Sequence, residues 1–462
     1  MHSWHFFCDT FGCKVNQYET ESVREAWMAR GGSECSDPSG ADIILVNSCA
    51  ITSRGERDAR NALVRLRREA PEAVLILTGC AARLVASFVP RKHAPVPSAD
   101  LIIVPEHKDL LTDPDYIGKL LDAAAEFRER RNPRNDALRD IEGSALPGPM
   151  PKVIPGTRAY PKLEIRGYRR VRPVLKVEDG CTHRCTYCIV PYVRGRERSR
   201  QPEDILAEVR ELAAAGYQDI TLLGQNVNSY GKDLDRGVDF AWLLEQVNAI
   251  PGDFLIRFMT SHPKDAGERL FDTMAACEKV APVLHLPFQS GSSRVLKAMN
   301  RGYTREHYLD LVAQLRARIP DIVLTSDVIV GFPGETQEEF EETLSLIEAV
   351  RFDALFTFIF SPRRGTPAEK LDDPMPKEQK NANFQRLLQR QNQISGEKHQ
   401  AYVGKTLRCL VDGQGEDGRL TARTAGGRLV HLAAEPAVIG TWQEVRVTGA
   451  STWALFGELA AR

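Results

Sequence analysis

The sequence has no run of about 18 apolar residues, the length a helix needs to cross a bilayer, so no membrane partner is expected. The amino terminus, Met1-His-Ser-Trp-His-Phe-Phe, lacks a basic stretch followed by an apolar one and a cleavage site. No secretory signal is therefore expected, and the expected compartment is the reducing cytoplasm. Ten cysteines in such a compartment point to metal or redox chemistry rather than to disulfides. The chain also has little net charge: 61 Lys and Arg against 62 Asp and Glu leave a formal −1, so the whole does not announce a nucleic-acid partner.

Charge is concentrated locally instead. Arg158 to Arg200 holds 12 basic residues against 4 acidic ones, and Arg54 to Arg68 holds 6 against 2. Such patches either track a phosphate backbone or form solvated faces. With 462 residues, 42% of them hydrophobic and 27% charged, the chain reads as a globular protein of two or three domains.

Residues 1–80 alternate between strands and helices. Phe6–Thr10, Ile43–Val46 and Val74–Leu77 read as strands, Gln17–Arg30 and Arg54–Arg68 as helices. Short apolar runs between helices imply a buried parallel sheet. From about 125 to 165 the composition shifts, with a charged run from Glu126 to Asp140 and a Pro- and Gly-rich stretch from Leu146, which marks a linker.

From Val174 the alternation resumes, with strands at Val174–Val177, Ile220–Leu223, Leu255–Met259, Val283–Leu286, Ile322–Val330 and Ala354–Phe360. Helices separate most of them; Pro202–Ala215, closed by Gly216, is the clearest. Six β/α units imply a partial parallel barrel, with a doubly wound sheet as the alternative. After about Lys398 the helices stop. Leu407–Val411, Arg419–Thr424, Arg428–Leu432, Trp442–Val447 and Trp453–Leu459 read as the strands of a small closed barrel. The fold class is thus α/β, with an all-β module at the carboxy end. The expected domains are 1–142, 167–398 and 399–462.

The most specific motif is Gly180-Cys181-Thr-His-Arg-Cys185-Thr-Tyr187-Cys188, a C-x3-C-x2-C. It follows the first strand of the central domain and so falls on a loop at the carboxyl end of the barrel, where such folds carry active sites. Three thiolates on one loop can hold three irons of a cubane cluster and leave the fourth iron open. Zinc sites want four ligands in paired C-x2-C groups, and no second pair is present. His183 as a fourth zinc ligand and coincidence are the competing readings.

A second, dispersed set is Cys13, Cys49 and Cys80. Each follows a buried strand within a few residues. The carboxyl ends of a parallel sheet lie together, so three cysteines in register can converge on one site and hold a second cluster. A single cysteine so placed would read as a small buried hydrophobe. Cys8, Cys35, Cys277 and Cys409 show no pattern and read as structural.

The C-x3-C-x2-C spacing resembles that of the radical S-adenosylmethionine superfamily. There the open iron binds the amino and carboxylate groups of S-adenosylmethionine, and one electron cleaves its sulfonium to a 5′-deoxyadenosyl radical. Tyr187 before the last cysteine matches that family's habit. So does Asp327-Val-Ile-Val-Gly331-Phe-Pro-Gly334-Glu335, whose glycines let backbone approach a ligand; a tight strand–helix turn is the plainer reading. The resemblance implies catalytic cluster ligation by Cys181, Cys185 and Cys188. It also implies cofactor contacts at Tyr187, Gln225, Ser290, Asp327, Gly331 and Glu335.

With both cysteine sets, the chain resembles the methylthiotransferase family nearly end to end. The matching stretches are Thr10-Phe-Gly-Cys13-Lys-Val-Asn16-Gln-Tyr-Glu19, Asn47-Ser-Cys49, Gly79-Cys80, Gly180 to Arg200, Gln289-Ser290-Gly291-Ser292 and Ser361-Pro-Arg-Arg-Gly365-Thr366-Pro367. That family joins an amino-terminal domain with a three-cysteine auxiliary cluster to a radical barrel and a small RNA-binding β-barrel called TRAM. The resemblance implies two [4Fe-4S] clusters, S-adenosylmethionine, and the anticodon stem-loop of tRNA as substrate. A flavodoxin- or ferredoxin-type electron donor and a sulfur donor would be the other partners. The implied product carries a methylthio group on carbon 2 of the N6-modified adenosine 3′ of the anticodon, position 37.

The branches of that family divide the motifs. Cys13-Lys-Val-Asn-Gln-Tyr-Glu19, Cys49-Ala-Ile-Thr52-Ser53 and Cys80-Ala-Ala resemble the threonylcarbamoyladenosine branch. Val193-Arg-Gly-Arg-Glu-Arg-Ser-Arg200, Leu223-Gly-Gln225-Asn226-Val-Asn228-Ser-Tyr230 and Thr260-Ser261-His262-Pro263 resemble the isopentenyladenosine branch. The barrel faces the base, so the second set carries more weight. A branch acting on a ribosomal-protein aspartate has Cys-Pro-Lys-Asn where this chain has Cys13-Lys-Val-Asn16, and ranks third. A non-catalytic iron–sulfur or RNA-binding protein is the reading from another class.

Overall fold

The structure, a computed structural model, describes residues 3–86, 99–130 and 171–460. The stretch from 131 to 165 of the expected linker, with its proline-rich part, lies outside the described residues. The chain divides into two compact units. One comprises residues up to 168 with 179–183 and 188–198; the other comprises 169–178, 184–187 and the chain from 199 onward.

The first unit is built on a parallel sheet of β1 (Trp4–Thr10), β2 (Gly32–Glu34), β3 (Ile43–Ser48), β4 (Val74–Gly79) and β5 (Leu101–Ile102), in the order β2-β1-β3-β4-β5. Every residue of β3 and β4 is buried, because helices cover both faces. The side chains alternate as a period of two requires. Ile43, Leu45, Val74 and Ile76 meet Val23 and Trp27 of the helix Lys14–Ala29 and Ile117 and Leu120 of the helix Pro114–Arg130. Ile44, Val46, Leu75 and Leu77 meet Ala62, Leu63 and Leu66 of the helix Ser53–Glu69. Thr52 caps that last helix by accepting from the Gly55 N–H at 3.0 Å. The strands legible in the sequence are all present. The short edge strands β2 and β5 were not legible, being only three and two residues long.

In the second unit, six parallel strands follow one another in chain order. Val174–Lys176, Asp219–Leu223 and Leu255–Met259 form one three-stranded sheet; Val283–His285, Val323–Val330 and Ala354–Ile359 form another. An isolated bridge from Ile256 to Val280 links the third strand to the approach to the fourth. The first and sixth strands are not paired among the described residues, so the barrel is open. Along Val323–Val330, Leu324, Ser326, Val328 and Val330 are fully buried, while Thr325 and Asp327 on the opposite face are only half-buried. The inner face of the open barrel is thus the accessible one.

The carboxy-terminal strands Thr406–Gln414, Leu420–Thr424, Leu429–Leu432, Trp442–Ala450 and Leu455–Leu459 close into a barrel. Cys409, Val411, Leu420, Ala422, Val430, Leu432, Val445 and Leu455 fill its core. Trp453, read as the start of the last strand, instead lies in a turn, because the Ser451 N–H donates to the Ala454 carbonyl at 2.8 Å. No described helix is long and apolar enough to cross a membrane.

Candidate functional site

The order of the first sheet reverses between β1 and β3, the place where doubly wound sheets bind ligands beyond the strands' carboxyl ends. Cys13 lies three residues past β1, Cys49 directly follows β3 and Cys80 directly follows β4. The sheet therefore puts all three dispersed cysteines at the same rim. Cys13 is exposed and caps the helix Lys14–Ala29, whereas Cys49 and Cys80 are buried. Burial pushes the Cys49 and Cys80 thiols up, and each is close enough to Cys13 for that sulfur's charge to raise it further.

Two glycines set this geometry. Gly12 has φ +93°, and a Cβ there would fall 2.6 Å from the Cys49 Cβ and 2.7 Å from its Sγ. Gly79 has φ +89°, and a Cβ there would strike the Ser48 backbone and lie 2.6 Å from the Asn47 Oδ1. Both conformations favour glycine, and neither site has room for a side chain. Asn16 ties the rim together by donating from Nδ2 to the Phe11 carbonyl at 2.7 Å and the Ser48 carbonyl at 2.9 Å.

Arg194 completes the arrangement. Its Nε donates to the Cys80 Sγ at 3.2 Å. Its Nη1 reaches Glu19 at 2.7 Å and Asp179 at 3.0 Å, and its Nη2 reaches the Asn16 Oδ1 at 2.6 Å. Desolvation works against its charge, but Cys80, Glu19 and Asp179 outweigh that and hold the guanidinium ionised well above its ordinary range. Lys108 adds a further buried cation on Glu19.

The C-x3-C-x2-C segment follows the first barrel strand. Cys181 and Cys188 are half-buried, and the Cys181 N–H donates to the Gly195 carbonyl at 3.1 Å. Cys185 is buried. Residues 184–187 are pinned to the 298–301 turn. The Thr186 N–H and hydroxyl donate to the Met299 and Ala298 carbonyls, both at 3.0 Å, and Asn300 Nδ2 donates to the Arg184 carbonyl at 2.8 Å. The Ala368 N–H donates back to the Thr186 carbonyl at 2.9 Å. Tyr187 packs on Val295, Met299, Ile329 and Phe332. Arg301, fully buried, donates from Nη1 to the Cys185 Sγ at 3.3 Å.

Of the expected cofactor contacts, Gln225, Ser290, Gly331 and Glu335 lie beyond the carboxyl ends of barrel strands, Asp327 lies within Val323–Val330 and Tyr187 on the cysteine loop. Gln225 lies two residues past Asp219–Leu223, and Gly331 directly follows Val323–Val330. Glu335 accepts from the Gly331 N–H at 2.6 Å, and desolvation pushes its carboxyl up to about 7. Ser290 is fully buried beside Gln289, whose N–H donates to the Asp327 carbonyl at 2.9 Å. The Asp327 side chain faces His285, with Oδ1 3.3 Å from Nε2.

The donor set fits iron–sulfur clusters. A neutral thiol is a weak acceptor, yet in each set a buried guanidinium is aimed at a cysteine sulfur, which suits an anionic sulfur ligand. Neither arginine was singled out from the sequence. Arg194 sits in the basic stretch Arg158 to Arg200, for which a phosphate-tracking patch and a solvated face were the two readings. Among the described residues of that stretch, Arg194, Arg200 and Lys176 are buried, and Arg172, Arg198 and Arg200 pair with Asp412, Asp179 and Glu208. Basic residues inside a fold read like basic residues on its surface until their acidic partners are placed. Arg54, Arg60 and Arg65 remain exposed or half-exposed on their helix.

An open (β/α) barrel carrying a three-cysteine loop, with a cysteine-lined Rossmann-like module and a small β-barrel, is the class this geometry defines. Comparison with known proteins agrees. The family model of the radical SAM superfamily matches residues 175–347, that of the uncharacterized protein family UPF0004 residues 5–96, and that of the TRAM domain residues 400–460. The chain is similar to a tRNA-2-methylthio-N(6)-dimethylallyladenosine synthase of Acetivibrio thermocellus, at 40% identity over 98% of this chain and 90% of that one. It is similar to one of Clostridium perfringens at 38% identity over 98% and 97%. Its fold resembles the solved radical S-adenosylmethionine methyltransferase TsrM from Kitasatospora setae, with a TM-score of 0.53 at 16% identity over 79% of this chain and 74% of that one. The chain belongs to the radical SAM tRNA methylthiotransferase family.

Proposed function

We propose that this protein places a methylthio group on carbon 2 of N6-dimethylallyladenosine, also called isopentenyladenosine, at tRNA position 37. The end-to-end match to relatives named for that synthesis, with the six cysteines in place, carries the reading. Carbon 2 of an adenine resists ionic attack, so a carbon radical must remove its hydrogen. When loaded, the Cys181, Cys185 and Cys188 site would supply the electron that cleaves S-adenosylmethionine, and the Cys13, Cys49 and Cys80 site the sulfur. A second S-adenosylmethionine would supply the methyl group.

The chain's own residues would divide the remaining work. Exposed Cys13 would leave the auxiliary site reachable from outside, while buried Cys49 and Cys80 would anchor it. Tyr187, Gln225, Ser290, Asp327, Gly331 and Glu335 would form the S-adenosylmethionine cradle. On the TRAM surface, Trp453 is 64% exposed, Arg408 lies 4.8 Å over the Trp442 ring and Arg419 lies 5.8 Å over the Phe456 ring. An exposed tryptophan and half-buried aromatics under guanidinium groups suit the stacked bases and phosphates of an anticodon stem-loop. A flavodoxin- or ferredoxin-type donor and a separate sulfur donor would serve the two sites, in the cytoplasm. The functional domains would span 1–142, 167–398 and 399–462.

The test is mass spectrometry of tRNA nucleosides after deletion of the gene. The expected result is loss of 2-methylthio-N6-dimethylallyladenosine with accumulation of its precursor lacking sulfur. Loss of the methylthio group from threonylcarbamoyladenosine instead, with the dimethylallyl product intact, would overturn it. Reconstituted protein that makes no 5′-deoxyadenosine under anaerobic, reducing conditions would overturn the radical step itself.

A further inference from the structure

Arg301 is a cation buried without a counter-charge. Its Nε donates to the Tyr303 hydroxyl at 3.0 Å, and its Nη2 donates to the Pro287 carbonyl at 2.9 Å. Its Nη1 donates to the Cys185 Sγ at 3.3 Å and to the Tyr187 hydroxyl at 3.4 Å. Its guanidinium also stands 5.4 Å over the Tyr303 ring. Among the described residues it makes no ion pair with a carboxylate.

Burying a charge is costly unless an opposite charge meets it. Phenols, a ring face and a carbonyl offer dipoles only. The one partner able to carry a full negative charge is the Cys185 sulfur, once it is a metal-bound thiolate. Arg194 makes the contrast. It also donates to a cysteine sulfur, Cys80, but its guanidinium pairs directly with the Glu19 and Asp179 carboxylates. The two sulfur-facing arginines therefore differ in whether a carboxylate meets them, and the one that none meets serves the cysteine of the C-x3-C-x2-C segment.

A site that gains an electron gains negative charge, and a fixed cation a few ångströms away in a low-dielectric surround favours that state. Hydrogen bonds to cluster sulfurs and local net charge both set a cluster's reduction potential. Arg301 is also held still: its N–H donates to the Leu296 carbonyl at 3.0 Å, and the turn that carries it is tied to residues 184–186. We propose that Arg301 is a positioning residue whose carboxylate-free guanidinium donates to the Cys185 sulfur and raises the reduction potential of the cluster that Cys185 helps to hold.

This rests on the assignment of Cys185 as a ligand, which the iron content of Cys185→Ala tests separately. The experiment uses full-length protein with Cys13, Cys49 and Cys80 changed to Ala, so that one cluster remains, reconstituted with iron and sulfide. An EPR-monitored redox titration with dithionite then compares the parent with Arg301→Gln and Arg301→Lys. The expected result is full iron in each, a clearly more negative midpoint for Gln, and a Lys midpoint near the parent's. An Arg301→Gln protein with full iron and an unchanged midpoint would overturn the proposal. Should the Gln variant fail to load, the Lys variant decides. Loaded and near the parent, it supports a role for the charge; loaded and far below the parent, it shows that the cation does not set the potential and overturns the proposal.

Discussion

The Nε of Arg194 donates to the sulfur of Cys80 across 3.2 Å, in a pocket where the same guanidinium also holds Glu19, Asp179 and Asn16. Those partners come from the helix after β1, from Asp179 ahead of the C-x3-C-x2-C segment and from the rim beyond β4, so one side chain joins segments distant in sequence. Removing it takes one cation from each of two buried carboxylates. Arg194→Ala is expected to lower the unfolding free energy by about 3 kcal/mol, toward the low end for breaking a buried pair, because Lys108 and Arg198 still face Glu19 and Asp179. Chemical denaturation of the apo-protein checks this, and a loss below about 1 kcal/mol would mean that the network is not fully formed.

Changing Cys13, Cys49 and Cys80 to Ala tests the division of labour between the two sites. About eight irons per chain are expected in the wild type and about four in the triple variant. The variant should still form 5′-deoxyadenosine and should make no methylthio product. A triple variant with undiminished iron would remove the auxiliary site from consideration.

Gly12→Ala probes the same site without touching a cysteine. The new methyl would need a strained backbone at φ +93° and would press on the Cys49 side chain. The expected cost is about 1–3 kcal/mol of stability, together with selective loss of the iron held by Cys13, Cys49 and Cys80. Iron analysis of Gly12→Ala beside the triple cysteine variant is the measurement; a Gly12→Ala protein with wild-type iron would show that the rim tolerates the shift.

Much of this was legible in the sequence, for identifiable reasons. Strands such as Ile43–Ser48 and Val74–Gly79 are apolar throughout, because helices cover both faces, and that pattern survives without any neighbour being known. Cys49 and Cys80 directly follow those strands, so strand placement also placed the cysteines. The two-residue strand Leu101–Ile102 was not legible, since so short a segment is defined by its pairing with β4 rather than by its own composition. Arg194 and Arg301 were missed for the same kind of reason. Their roles come from Glu19 and Asp179 in one case and from the absence of any carboxylate in the other, and spacing along the chain encodes neither.

Glu335 gives a pH-dependent prediction with a definite sign. Burial raises its carboxyl from an ordinary value of 4.5 to about 7, against the pull of the Gly331 N–H, Lys380 and Arg294 and with the push of Glu339. The folded state thus binds a proton that the unfolded chain has already released between those values. Stability from this group is fully present below about 4.5 and is lost as pH rises through 7, by at most about 3 kcal/mol. Glu335→Gln keeps an acceptor for the Gly331 N–H and removes the titration. Its stability relative to wild type is therefore expected to increase from pH 5 to pH 8, and denaturant midpoints measured across that range check it. Parallel curves for the two proteins would show that Glu335 is already ionised in the folded state and that its neighbours Lys380 and Arg294 outweigh its burial.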